Sequence, residues 1–199
     1  MSEKKIQVRA NPTRASILKS AKKNFTRNGF AGSSMRTIAA DAGINRSLIS
    51  HHFGNKQQLW LAVKMDIVNR AKNKSPILPK ITLSWHQYLR EWLFNNIQFY
   101  KQNPDIIAMI NWQRTEHEKA HFLANVQSQE TAQWIDVLTH FQNKGDIDQN
   151  IDLGFALTTI TSLTSSAALD PNLFIKKKKD LEAYIDFCVK LMINGWNQQ

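Results

Sequence analysis

Apolar residues recur along this chain at steps of three and four, the spacing that lines one face of an α-helix. Ile17, Leu18, Ala21 and Phe25 mark the first such stripe, over residues 13–28. Leu59, Trp60, Val63 and Ile67 mark another over 56–74. Trp85, Leu89, Trp92, Leu93 and Tyr100 predict a helix over 82–102. Ile106, Ile107, Met109, Ile110 and Trp112 form a nearly continuous apolar run over 105–115, which predicts a helix buried on most sides. Phe122, Val126, Trp134, Ile135, Leu138 and Phe141 predict one over 119–143, and two more, over 152–169 and 177–196, flank the Asp170-Pro171 break. No β-hairpin signature interrupts this period, so the expected fold is all-α with about nine helices.

The breaks in the pattern divide the chain. Pro76 and Pro79 stand in a five-residue stretch, and proline both removes a backbone donor and disfavours helix before it. The expected organisation is a disordered basic arm over 1–12, a helix-turn-helix head over 13–56, a connecting helix over 57–75 and a larger helical domain over 80–199.

The head is read from residues 33–56, SSMRTIAADAGINRSLISHHFGNK. Ser34 can cap a helix through its side-chain oxygen, and Met35, Ile38, Ala39 and Ala42 then give it a small apolar face. Gly43 supplies the positive φ of a sharp turn, Ile44 plugs that turn, and Asn45 can cap the next helix, which begins at Arg46. Two short helices joined by a glycine-containing turn are the unit that sets its second helix into the DNA major groove. Arg36, Arg46, Ser47, Ser50 and His51 occupy the outward positions, where a solvated helix would carry mixed charges.

Charge placement sharpens this picture. The net charge is +10, but residues 1–80 hold 16 Lys/Arg against three acidic residues, whereas 81–199 hold 10 against 13. The whole basic excess therefore lies on the segment with the helix-turn-helix, as phosphate neutralisation requires. A hydrophobic content of 42% over 199 residues suffices for a sizeable core. Cys188 is the sole cysteine, so no intramolecular disulfide can form, and its apolar neighbours suit a core role. No segment resembles a signal peptide and no run approaches the ~18 apolar residues of a membrane span. We expect a cytoplasmic protein without membrane attachment.

Thr13-Arg14, Ile17, Ala21, Phe25, Gly29-Phe30, Ile38-Ala39, Ala42-Gly43-Ile44, Ser47, Ile49, His52-Phe53, Lys56 and Leu59 stand in an order and spacing that resemble the tetracycline-repressor (TetR) family of bacterial transcription regulators. The resemblance spans roughly residues 13–60. It implies a ligand-responsive repressor that binds double-stranded DNA on a palindromic operator as a homodimer. It places DNA contacts on Arg36, Arg46, Ser47, Leu48, His52 and Lys56, with Lys56 gripping phosphate, and Ser34, Ser50 and His51 join them as candidate DNA-binding residues. Ser50 stands where the family usually has a tyrosine that stacks on the sugar-phosphate backbone. The resemblance also implies a cavity for a small hydrophobic or aromatic effector, for which Trp85, Trp92, Asn96, Met109, Trp112, Gln113 and Trp134 are the candidate lining. It implies, finally, that the last two helices pair with those of a second copy. Ala156, Ile160, Leu163, Ala167, Leu181, Tyr184, Cys188 and Leu191 are the candidate contacts there, although the same stripes could face the chain's own core.

Other chemistry is thin. His117-Glu118-Lys119-Ala120-His121 matches the H-E-x-x-H pattern of zinc hydrolases, but polar flanks (Gln113 to Glu116) suit a solvated helix start better than an active-site helix. Neighbouring His51 and His52 point about 100° apart on a helix and cannot chelate as a pair. Lys176–Lys179 is a charge run at a helix start. No glycine-rich phosphate loop or nucleophile-base order is present, so we expect no enzyme, no cofactor and no metal. The competing function is a regulator of the same fold that has no small-molecule effector.

Overall fold

A computed structural model describes residues 12–72, 77–115, 129–169 and 174–197. Nine helices are found among the described residues, and no strand: α1 Pro12–Asn28, α2 Met35–Ala42, α3 Arg46–Phe53, α4 Lys56–Lys72, α5 Trp85–Gln102, α6 Pro104–Thr115, α7 Gln129–Asn143, α8 Leu153–Leu169 and α9 Lys178–Trp196. None of them is long and apolar enough to cross a membrane.

Local chemistry explains where the helices begin. Pro104 opens α6, because the first position of a helix does not need its N–H. α5 starts at Trp85 rather than at residue 82, because the Ser84 hydroxyl accepts from the Gln87 amide and fixes the cap. At α9 the Asp180 carboxylate accepts from the Lys176 and Lys177 amides at 3.1 and 2.8 Å. One acidic residue thus offsets a lysine run whose charges oppose the helix dipole.

The chain falls into two compact units. The first comprises the chain up to Arg70 together with α6 from Ala108 onward. Its centre is aromatic: the Phe25 ring meets Trp60 edge-on at 4.9 Å, Phe30 meets Trp60 edge-on at 5.6 Å, and Phe25 stacks on Phe30 at 6.4 Å. Ile17, Ala21, Ile38, Ile49, Leu59 and Val63 close around these rings, each essentially inaccessible to water. Asn24 is buried beside them and donates to Ser20 O and to Asp41 Oδ2.

The second unit takes α5, the first turn of α6, and α7 to α9. Trp85, Tyr88, Leu89, Trp92, Leu93 and Ile97 of α5 form its spine, packed with Leu138 and Phe141 of α7 and with apolar positions of α8 and α9. This packing places five of the expected dimer contacts. Ala156, Ile160, Ala167, Leu181 and Cys188 are buried in this unit's own core. Leu163 and Tyr184 are half-buried, with the Tyr184 hydroxyl donating to Leu163 O, and Leu191 is exposed. The cause is that α8 and α9 are apolar around more than one face, and the faces nearest α5 and α7 are consumed internally.

The rings of the first unit's aromatic centre are almost wholly buried. Replacing Phe25 by Ala removes a fully buried ring and should cost about 3–5 kcal/mol. Urea unfolding followed by circular dichroism measures this, with a loss below about 1 kcal/mol contradicting the assignment.

Candidate nucleic-acid interface

α3 has eight residues, too few to persist alone in water, and is held by its ends and by two inward side chains. At its start the Asn45 Oδ1 accepts from the Ser47 amide at 3.0 Å. At its end the Gly54 amide returns to Ser50 O at 2.8 Å. Ile49 and Phe53 anchor it into the core, and the Arg14 guanidinium lies over the Phe53 ring, 5.1 Å from its centroid.

α2 is fixed in the same way. Ser34 Oγ accepts from the Thr37 amide at 3.0 Å, while Ile38 and Ala39 face inward. The turn that follows depends on Gly43, whose φ of 66° lies in the left-handed region. There its own amide reaches Ala40 O and the Ile44 amide reaches Ala39 O, which satisfies the last carbonyls of α2.

These anchors leave one face outward. Ser34, Arg36, Arg46, Ser47, Ser50 and His51 are exposed, and Leu48 and His52 are half-buried. The His51 and His52 rings stand edge to face, 5.3 Å apart. The positions drawn from sequence therefore gather on α3 and the start of α2, with polar and cationic groups directed at solvent. The capping interaction of Ser34 means that its side chain is also structural.

Lys56 is also engaged within the fold. Its Nζ donates to Phe30 O and Ser33 O, each at 2.8 Å, and sits 4.4 Å from the centroid of the Phe30 ring. The ammonium thus ties the start of α4 to the chain that enters α2. Its long stem crosses a gap of more than twenty residues, which no local pattern could announce. Any grip on phosphate competes with these internal bonds.

The candidate effector residues separate. Trp85, Trp92, Asn96 and Trp134 belong to the second unit, where the Trp92 and Trp134 rings meet edge-on at 6.2 Å. Tyr88 stands with them, 6.0 Å from Trp92 and 5.0 Å from Phe141. Tyr88 is absent from the residues proposed by sequence, although its step of three from Trp85 puts it on the same helical face. Burial pushes its phenol up to about 12. Met109 and Trp112 fall in the first unit instead, and Trp112 Nε1 donates to Thr26 O at 3.2 Å. Trp112 therefore serves the end of α1 rather than the α5 row. The side chain of Gln113 and the His117 to His121 pattern lie outside the described residues, and among those described no group of His, Cys, Asp and Glu could hold a metal ion.

The profile described as "Bacterial regulatory proteins, tetR family" matches residues 17–63, which cover most of α1 to the first half of α4. The chain is 24% identical to the HTH-type transcriptional repressor SCO4008 of Streptomyces coelicolor over 162 residues, 81% of each protein. It is 29% identical to the HTH-type transcriptional repressor NicS of Pseudomonas putida over 55% of this chain and 53% of that protein. Its fold matches a TetR family transcriptional regulator from Pseudomonas syringae with a TM-score of 0.68 at 21% identity, covering 94% of this chain and 98% of the other. A TetR-family transcriptional regulator from Haemophilus influenzae gives 0.68 at 17% identity, covering 90% and 95%.

The Lys56 bridge leads to a direct test. Lys56→Met keeps the stem and removes the charged donors, so it should cost about 1.5–3 kcal/mol of stability in the absence of DNA. Asn45→Ala should cost about 1 kcal/mol as a lost helix cap. Thermal unfolding without DNA measures both, and an unchanged midpoint for Lys56→Met would remove its structural role.

Proposed function

The chain belongs to the tetR family of bacterial regulatory proteins, and we propose that it is a ligand-responsive transcriptional repressor that binds a palindromic operator as a homodimer. The observation that carries the DNA-binding part is the outward face of α3. A capped helix anchored by only Ile49 and Phe53 presents Arg46, Ser47, Ser50 and His51 within the segment that holds the entire basic excess. Arg46 at the helix start is suited to a base edge, because an arginine fork matches the two acceptors of guanine. Arg36, Ser47 and Ser50 suit phosphate oxygens, which fix register without reading sequence. Ser50 buries less area than an aromatic ring would, so His51 and His52 carry more of the backbone contact.

Dimerisation is supported by what the protomer leaves uncovered. Phe155 is 76% exposed on α8, and Phe187 and Leu191 are 64% and 54% exposed on α9. Phe187 and Leu191 are one helical turn apart, and Tyr184 adds to the same stripe. Large side chains left in water on the last two helices fit an isologous contact with a second copy. Phe155 and Phe187 join Leu191 in this role. A two-fold pair carries two α3 helices, which is why the operator is expected to be palindromic. An effector in the second unit controls binding only if it favours one arrangement of the heads over another.

Two measurements bear on this. Duplex binding should be strongly salt-dependent, with affinity falling by about three to five decades from about 50 to about 200 mM salt for roughly six to ten phosphate contacts per dimer. Arg46→Ala should relax base preference at one position per half-site at a cost of about 1–3 kcal/mol. Binding titrations across salt read the first effect and selection from random duplexes reads the second, and salt-insensitive binding would count against the interface. Separately, Phe187→Glu should give a monomer with full helicity that has lost half-site coupling, since the residue is exposed in the protomer. Sedimentation and circular dichroism check this, and a variant that stays dimeric would contradict the assigned surface.

A further inference from the structure

The second unit buries four hydrogen-bond donors that no acceptor among the described residues receives. They are Nε1 of Trp85, the Tyr88 hydroxyl, Nε1 of Trp92 and Nδ2 of Asn96, all enclosed and all without a partner. At about 100° per residue these positions fall within an arc of about 80° and along about 16 Å of α5. They make one row. Native proteins leave few buried polar atoms unpaired, and each such atom weakens the fold, so four in one row call for a cause.

The surroundings define what would complete the row. Phe141 lies 4.8 Å from Trp85 and 5.0 Å from Tyr88, and Trp134 lies 6.2 Å from Trp92, so the neighbours are aromatic faces and edges. Apart from the row itself, the buried polar side chains described in this unit are Thr164 and Ser165, and both hydroxyls are spent on carbonyls of α8. Among the described residues of this unit, no lysine, arginine, histidine, aspartate or glutamate side chain is buried. The Asp146 Oδ2 is also without a hydrogen bond, but it is 3.6 Å from Lys144 Nζ and its charge is met there. The raised phenol keeps its proton at physiological pH and so remains a donor.

We propose that this row recognises an uncharged, flat aromatic effector bearing carbonyl or ether oxygens as acceptors. The inference rests on the ligand-responsive reading above and names the chemistry of its ligand. Acceptor oxygens take up the unpaired N–H and O–H groups, and a flat ring matches the aromatic neighbours. A carboxylate or phosphate would lose its hydration with no buried cation to replace it, since Lys144, 5.5 Å from the Phe141 centroid, is half exposed and already faces Asp146, and an ammonium would meet donors only. Because the four donor atoms are shut off from water, binding proceeds by repacking of aromatic side chains rather than by filling an open cleft.

The test uses the full chain and three probes of one shape: 9,10-anthraquinone, anthracene and anthraquinone-2-carboxylate, followed by quenching of tryptophan fluorescence. Anthraquinone should bind at least about tenfold more tightly than anthracene, and the carboxylate should bind more weakly than anthraquinone. Tyr88→Phe and Asn96→Leu should each weaken anthraquinone by about tenfold and leave anthracene unchanged. Tyr88→Phe should also melt at a higher temperature than the parent, because it deletes a donor that has no partner. Equal affinity for anthraquinone and anthracene, binding of neither, or a lowered melting point for Tyr88→Phe would each overturn the inference. A duplex selected by the protein from random sequence separates the two readings. Donor-dependent anthraquinone binding that leaves this duplex bound upholds the inference and defeats the ligand-responsive reading. Release by anthracene and anthraquinone alike does the reverse.

Discussion

An eight-residue helix that must present its polar face to a partner has almost nothing with which to hold itself in place, and this constraint governs the N-terminal unit. α3 can spare only Ile49 and Phe53 for the core. The remaining orientation comes from its ends: Asn45 at one, the Gly54 amide at the other, and the Gly43 turn that aims it relative to α2. Those devices work only against a rigid base. The Phe25, Phe30 and Trp60 rings provide it, and the Lys56 ammonium locks the chain before α2 to the start of α4. These internal bonds fall to Lys56 and not to Arg46, whose side chain stays exposed.

Features governed by neighbours along the chain are legible in the amino-acid sequence. The caps at Ser34 and Asn45, the glycine turn and the inward set Ile38, Ala39, Ile49 and Phe53 all follow from local spacing and side-chain chemistry. The helical period also yields the correct class and the approximate extent of most described helices. Features governed by distant partners are not legible there. That Lys56 turns inward depends on where Phe30 and Ser33 place their carbonyls, which is a result of folding. The division of α8 and α9 between core and surface is equally hidden. Ile160 and Phe155 are both apolar and lie on one helix, yet the first is wholly buried and the second largely exposed. Period alone cannot rank two apolar faces, because what separates them is the position of α5 and α7.

Tryptophan illustrates why residue type is a poor guide to role. By sequence Trp112 and Trp92 are equal candidates for an effector wall, and each is an apolar body with one N–H. In the folded chain the Trp112 N–H is satisfied by Thr26 O, so its polar tip does structural work at the end of α1. The Trp92 N–H, fully enclosed, has no such partner, and neither do the polar tips of Trp85, Tyr88 and Asn96 beside it. Satisfaction of the polar atom separates these two tryptophans, although it is no general rule, since the Trp60 N–H in the aromatic centre of the first unit is also without a partner among the described residues. A tryptophan whose N–H is paired within the fold gains nothing further from a ligand's acceptor. One whose N–H is unpaired leaves the ligand-free protein less stable than it could be, and an acceptor that completes it stabilises the bound state by the same interaction. With the effector proposed above, the row on α5 would couple occupancy of the second unit to its stability.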